Sequence, residues 1–446
     1  MFFLFLLILN SLFNFNISIR LNVNKNKNNF IKASSLKLRK LNETKLAYKN
    51  NSFVNLSILK SELGLYSIDI YIGEPKQKFS LVIDTGSSLL WVYNKKCSSC
   101  LSKNKFDSSI SKSFIYSEEP IYLNYISGSL KGNICQENMN FNNAFNMPLL
   151  YFILIDQSNL DFEMDGIIGL SKGTSYRKKY SFLNQIYEKK LIKENFVIYD
   201  LFNNLLFISE IPDYLENEKK IICYDIDDLT TFWKCNLKEI QFDNVTFFTE
   251  TKVIFDSGTN GIVFPIKFLD TFKKIISNNG MLSKKKCDFY NAEEESNVYK
   301  FVCENRINIK SLNETKFFLE FFLEKTGINN SNNNSFGMKL SDLIEEDEQS
   351  FSIFIFDKKK EILLGAPFFE KYPIMFNKDN NLITIFGEGN DLSIKFKKHY
   401  KDFVKIFLII SLIIIAILFA FLILRKIIFS KFRINNKQIE NLLKEV

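Results

Sequence analysis

The chain of 446 residues holds a single histidine, His399. A Ser-His-Asp or Cys-His site needs an imidazole beside its nucleophile, and histidine-ligated zinc needs several. His399 lies close to the C-terminus, outside the apparent folded body, so these mechanisms are excluded. A second Cys-x-x-Cys that would complete a zinc site with Cys97-Ser98-Ser99-Cys100 is also missing, although the motif by itself leaves a redox or metal role open. Acids are scarce in one place: residues 20–60 carry ten lysines and arginines against Glu43 alone. Charge is absent altogether from residues 1–19 and 406–424. Chemistry run by carboxylates alone survives these exclusions.

What is present begins with a globular composition. Hydrophobic residues make up 46% and aromatic residues 15%, and the length allows two or three domains with real cores. Residues 1–19 read as a signal peptide without a positive n-region. An uncleaved anchor is the competing reading, which the interrupting Asn10, Asn14 and Asn16 disfavour. The nineteen uncharged residues 406–424 are long enough to cross a bilayer, and Phe403-Val404 extend them, giving an expected transmembrane helix over 403–424. Arg425, Lys426, Lys431 and Arg433 follow it and favour a cytosolic tail over 425–446, while Lys395, Lys397, Lys398 and Lys401 oppose that signal, so the leader decides the orientation. A cleaved lipid-anchor signal would end in its hydrophobic run, and here a tail follows.

The most informative stretch is Leu81-Val82-Ile83-Asp84-Thr85-Gly86-Ser87-Ser88. An apolar run ends in an acid, a hydroxyl, a glycine and further hydroxyls, and a strand rarely delivers a carboxylate to an interior without a use for it. A polar turn after a strand would explain one such stretch. The pattern recurs 172 residues later in Val253-Ile254-Phe255-Asp256-Ser257-Gly258-Thr259, which points to two related halves each donating one carboxylate. Between and after them, short apolar alternations separated by Gly, Pro, Asn and Ser predict strands. Residues 181–188 predict a helix capped by Ser181.

These paired segments resemble the active-site loops of pepsin-like aspartic proteases, the family that includes the apicomplexan plasmepsins. Residues 66–91 resemble that family's opening strands, first catalytic loop and the following tryptophan, Trp91. Tyr125-Ile126-Ser127-Gly128-Ser129 resembles its flap hairpin, and Asp165-Gly166-Ile167-Ile168-Gly169-Leu170 and Ile362-Leu363-Leu364-Gly365 resemble the elements passing beside each catalytic loop. The similarity covers residues 61–390 in the family's order. It implies an all-β, bilobal fold with an N-terminal lobe over 61–220, a C-terminal lobe over 221–390 and a linker over 391–402. The basic stretch 20–60 corresponds to a propeptide over an acidic cleft. Its net charge of +9, with +4 on the tail, leaves −5 for the body, as electrostatic inhibition requires. Lys37, Arg39 or Lys40 is expected to approach the catalytic pair in the precursor. Behind a secretory leader, nucleic acid is not the expected partner of this basic run.

The resemblance further implies Asp84 and Asp256 as the catalytic pair, without cofactor or metal. Thr85 and Ser257 would tie the loops together, Gly86 and Gly258 would admit close backbone approach, and Ser87 and Thr259 would orient the carboxylates. Tyr125, with Ser127 and Gly128 at the flap tip, would close over a peptide substrate while Trp91 holds its hydroxyl. Cys97 would pair with Cys100 and Cys287 with Cys303; Cys223 with Cys235 is expected as a third pair, and Cys135 is left over. Asn244, Asn313 and Asn333 permit glycosylation, and residues 327–335 form a polar low-complexity loop. The expected protein is a monomeric, single-pass endopeptidase made as a zymogen in the secretory pathway, a vesicle or the plasma membrane, with its body lumenal or extracellular. The alternative is a catalytically inactive homologue that binds peptides or mediates adhesion.

Overall fold

The two apolar runs form the strands Gln77–Asp84 and Lys252–Phe255. They belong to a computed structural model that describes residues 54–387 apart from 61–64, 126, 142–144, 161–162, 174–176, 226–230, 243–244, 249–250, 293–297, 309–317, 324–334, 346 and 358. The signal, transmembrane and tail segments, the three asparagine sites and nearly all of the low-complexity loop lie outside the described residues. Among the described residues no helix is long and apolar enough to cross a membrane.

Each run is built into the same four-strand arrangement. Gln77–Asp84 pairs in parallel with Gly166–Gly169, which pairs antiparallel with Leu90–Tyr93, which in turn runs parallel to Phe145–Ser158. Lys252–Phe255 pairs in parallel with Ile362–Leu364, which pairs antiparallel with Ile262–Pro265, itself parallel to Ser350–Phe356. The apolar-apolar-Gly pattern is explained by this crowding. A Cβ on Gly169 would meet the Leu89 nitrogen at 2.5 Å, and one on Gly365 would meet the Thr259 carbonyl oxygen at 2.1 Å. Strands buried on both faces read as continuous apolar runs, as here.

The first arrangement sits in an eight-stranded sheet whose outer edge is the hairpin of Ile115–Tyr125 and Gly128–Phe141. The second sits in a ten-stranded sheet. A third, six-stranded sheet takes strands from both ends of the described chain: Val54–Ser57, Leu205–Ile208, Phe196–Asp200, Ile374–Asn377, Leu382–Phe386 and Lys220–Tyr224. The fold is therefore mostly β, with short helices such as Leu269–Asn278, which buries Phe272, Ile275 and Ile276 at three- and four-residue spacing.

Three local expectations change. The last residues of the stretch read as propeptide are strands of the body, because Val54, Leu56 and Ile58 alternate into the core directly after the basic run. The strand Lys220–Tyr224, expected to open the second lobe, joins the six-stranded sheet beside Leu382–Phe386 rather than the ten-stranded one. The helix Phe182–Glu188 begins after Ser181, but the serine hydroxyl makes no capping bond; it is buried, and no hydrogen-bond partner lies within reach.

Cys97–Cys100, Cys223–Cys235 and Cys287–Cys303 are disulfides, so Cys97 and Cys100 are not free thiolates for a metal. Cys135 is buried, and burial pushes its thiol up to about 12.

Phenylalanine, at 47 residues, fills the second half of the core. Rings run from Phe255, next to Asp256, through Phe368 and Phe336 to Phe321 and Phe264, with centroids 5.0–6.4 Å apart. Phe264 is fully buried in this chain of contacts. Phe264→Ala is expected to destabilise the protein by about 3–5 kcal/mol, and Phe264→Leu by less than half of that, in urea denaturation. Equal midpoints for Phe264→Ala and the parent would show that the aromatic column is not structural.

Candidate active site

Asp84 is the last residue of its strand, and Asp256 follows directly on its own. A carboxylate at a strand end leaves the ladder and turns with the loop, and what fixes both turns is a reciprocal set of bonds between them. Thr85 Oγ1 donates to the Phe255 carbonyl at 2.9 Å and accepts from the Ser257 amide at 2.9 Å. Ser257 Oγ donates to the Ile83 carbonyl at 2.8 Å and accepts from the Thr85 amide at 3.0 Å. Both hydroxyls are buried, so each bond broken would leave an unpaired group in the interior. Two hydroxyls thus join strands 172 residues apart in the chain.

The carboxylates are oriented from both sides. The Gly86 amide donates to Asp84 Oδ1 at 2.8 Å and the Ser87 hydroxyl to Asp84 Oδ2 at 2.5 Å. The Gly258 amide donates to Asp256 Oδ1 at 3.1 Å and the Thr259 hydroxyl to Asp256 Oδ2 at 2.9 Å. Each glycine faces the other loop's acid: a Cβ on Gly86 would lie 2.6 Å from Asp256 Oδ1, and one on Gly258 would lie 2.8 Å from Asp84 Oδ1. Any side chain at either position would push the carboxylates apart.

The flap residues come to the same place. Trp91 Nε1 donates to the Tyr125 hydroxyl at 2.9 Å, with the rings 6.4 Å apart. Burial, followed by the charge of Asp84, holds the Tyr125 phenol well above its ordinary pKa, so it stays a neutral donor. Ser127 is exposed at the turn, and Gly128 pairs across it with Tyr125. The hairpin is tethered by Asn159, whose Oδ1 accepts from the Ser129 amide at 2.5 Å, a contact with no signal in the sequence beyond an asparagine in a loop. Backbone supports were equally hidden. The Leu170 amide donates to the Asp84 carbonyl at 2.8 Å, and the Asp256 amide donates to the Leu364 carbonyl at 3.0 Å.

Burial pushes both carboxyls above the usual range. Asp84 is raised further by the charge on Asp256, up to about 7, against the opposing bonds from Ser87 and Gly86. The pair titrates as a unit and keeps one proton at mildly acid pH. One ionised carboxylate beside one carboxylic acid is a general base beside a general acid, at a site without imidazole or thiol. Among the described residues no three His, Cys, Asp or Glu side chains converge as metal ligands.

Comparison with known proteins agrees in extent with this geometry. The profile of the eukaryotic aspartyl protease family matches residues 65–386. The chain is 28% identical to Plasmepsin I of Plasmodium falciparum over 258 residues, which is 55% of this chain and 56% of that one. It is 28% identical to Vacuolar protease A of Aspergillus fumigatus over 223 residues, 47% of this chain and 56% of the relative. With Cathepsin D of Gallus gallus it shares 31% identity over 160 residues, 34% of this chain and 40% of the relative. The chain thus spans about half the length of the relatives it matches.

A raised folded-state pKa has a definite sign in stability. Asp84 binds its proton more tightly when folded, so its contribution is fully present below about pH 4 and is lost as pH rises towards 7. The loss amounts to about 4 kcal/mol at most. Asp84→Asn is expected to flatten the fall in stability between about pH 4 and 7, measured as the urea midpoint at each pH. Parallel curves for the parent and the variant would mean that Asp84 is not the group that binds its proton more tightly in the folded state.

Proposed function

The chain belongs to the eukaryotic aspartyl protease family, and from that premise we propose that it is an aspartic endopeptidase hydrolysing peptide bonds in protein substrates. The observation that carries the proposal is the pair Asp84 and Asp256, joined through Thr85 and Ser257 and set to share a proton. Two like charges in a buried, interacting pair cannot both persist cheaply, which is general to aspartic proteases rather than special to this chain.

The ionised carboxylate takes a proton from a bound water, and that water attacks the peptide carbonyl carbon. The carboxylic acid gives its proton to the carbonyl oxygen, which forms a neutral tetrahedral diol. When the carbon–nitrogen bond breaks, the protonated carboxyl gives its proton to the amine and the other carboxylate takes one from a diol hydroxyl, so the pair ends with one proton as it began, the acid product keeps the water's oxygen, and no covalent enzyme intermediate forms. Tyr125 closes over the peptide, its hydroxyl aimed by Trp91. The gain lies in positioning: carboxyls held by Gly86, Ser87, Gly258 and Thr259 need no rearrangement as charge moves.

The wider reading follows the segments outside the described residues. Residues 1–19 direct the chain into the secretory pathway, 403–424 anchor it, and the body is lumenal or extracellular. The basic stretch makes the product a zymogen, released as body carboxylates protonate.

The test is cleavage of a random peptide library by the full chain from about pH 4 to 7, with Asp84→Asn and a statine peptide as controls. Cleavage that the variant lacks and the statine abolishes is expected, falling off above about pH 7 as the shared proton leaves. No cleavage, even after removal of residues 20–53, which leaves the strand Val54–Ser57 in place, would favour a peptide-binding homologue. A precursor carrying Lys37→Ala, Arg39→Ala and Lys40→Ala together is expected to be active without processing. If it stays as inactive as the parent, these charges do not hold the zymogen.

A further inference from the structure

One buried tryptophan is linked to both catalytic segments, by its side chain to the backbone beside one and by its own carbonyl to the other. Trp233 has no exposed surface, and its indole Nε1 donates to the Leu170 carbonyl at 3.3 Å. That carbonyl belongs to the peptide unit whose amide, on Ser171, donates to the Ser87 carbonyl at 2.8 Å. Ser87 in turn orients Asp84 through its hydroxyl. On the other side, the Trp233 carbonyl accepts from the Phe255 amide at 3.2 Å, one residue before Asp256. The indole also packs 5.2 Å from Phe376, which packs against Phe255 at 6.1 Å.

Trp233 is held in place by devices of its own. Cys235, two residues on, is bonded to Cys223, which fastens the strand Lys234–Phe242 of the ten-stranded sheet to Lys220–Tyr224 of the six-stranded sheet. Cys235 stands opposite Val253 in register, three residues before Asp256. At the base of the same loop, Asp225 accepts from the Lys234 amide at 3.3 Å and pairs with Lys172 in a buried salt bridge, and Lys172 follows Ser171 directly. A buried ion pair contributes little net stability, but breaking it is costly, so it fixes register. Disulfide, ion pair and indole therefore converge on the 170–172 backbone and on the strand that carries Asp256.

We propose that Trp233, clamped by Cys223–Cys235, is a positioning residue that sets Asp84 relative to Asp256 through the Leu170–Ser171 peptide unit. The inference rests on the reading of this pair as the hydrolytic centre. An indole donor on the Leu170 carbonyl polarises that peptide unit and strengthens the Ser171 bond to Ser87. Loss of the donor leaves a buried carbonyl unpaired and loosens the loop carrying Asp84, whereas substrate contacts, made on the opposite side by the flap, stay the same.

The test removes the indole N–H while keeping an aromatic ring, at some loss of bulk. Trp233→Phe in the full chain is expected to lower kcat about tenfold, the rate equivalent of one buried hydrogen bond, with KM unchanged. Hydrogen exchange should quicken at least severalfold in peptides spanning residues 83–90 and 166–173. The double variant Cys223→Ala, Cys235→Ala keeps the indole donor and frees its clamp. It should shift kcat in the same direction by a smaller factor and move tryptophan emission to longer wavelength, a signal shared only with Trp91. If the parent cleaves nothing, the protease reading falls, and the exchange measurement still decides the coupling. Unchanged exchange in Trp233→Phe would overturn the proposal, as would faster exchange with unchanged kcat or a change confined to KM.

Discussion

Two hydroxyl groups hold this structure's chemistry together. Thr85 and Ser257 each donate to a carbonyl and accept from an amide across the same interface, so neither aspartate-bearing loop can shift without breaking bonds in the other. The requirement is severe because the groups are buried: water cannot replace a partner that moves away. Everything nearby follows from keeping these loops in register. Glycine stands at 86 and 258 because the opposing acid occupies the space of a side chain, and glycine stands at 169 and 365 because a neighbouring backbone does.

The same constraint explains the electrostatics. Two acids brought this close and partly out of water do not both ionise, and the hydrogen bonds that orient them oppose the rise without cancelling it. The outcome is a pair poised between acid and base, built without histidine or thiol. Support lies in layers behind it: backbone amides first, then the Phe255–Phe368–Phe336 column and Trp233, which reaches Phe255 through Phe376.

Much of this was legible in the chain. The repeated Asp-hydroxyl-Gly pattern, the flap tyrosine and the two apolar-apolar-Gly elements each reflect a local need, and local needs leave local marks. Strands buried on both faces read as apolar runs, and close backbone approach reads as glycine. Less legible were contacts whose residue types are common and whose partners are remote. Asn159 beside the hairpin carries no distinctive local signature, and the alternation of Val54, Leu56 and Ile58 is short and directly follows a basic stretch. The Ser181 hydroxyl shows the reverse case, in which a good capping residue is buried at a helix start without capping it.

By itself the sequence determined the residue types of the site, the twofold repetition of its halves and the exclusion of imidazole-dependent catalysis, because these depend on composition and short-range pattern. Only the tertiary structure decided which hydroxyl bonds which carbonyl, that the six-stranded sheet draws strands from both ends of the body, and that Trp233 and the Cys223–Cys235 bond stand behind the carboxyl pair. These facts depend on contacts between residues far apart in the chain, whose geometry is set by the packing of whole sheets and leaves no periodic trace in either partner's neighbourhood.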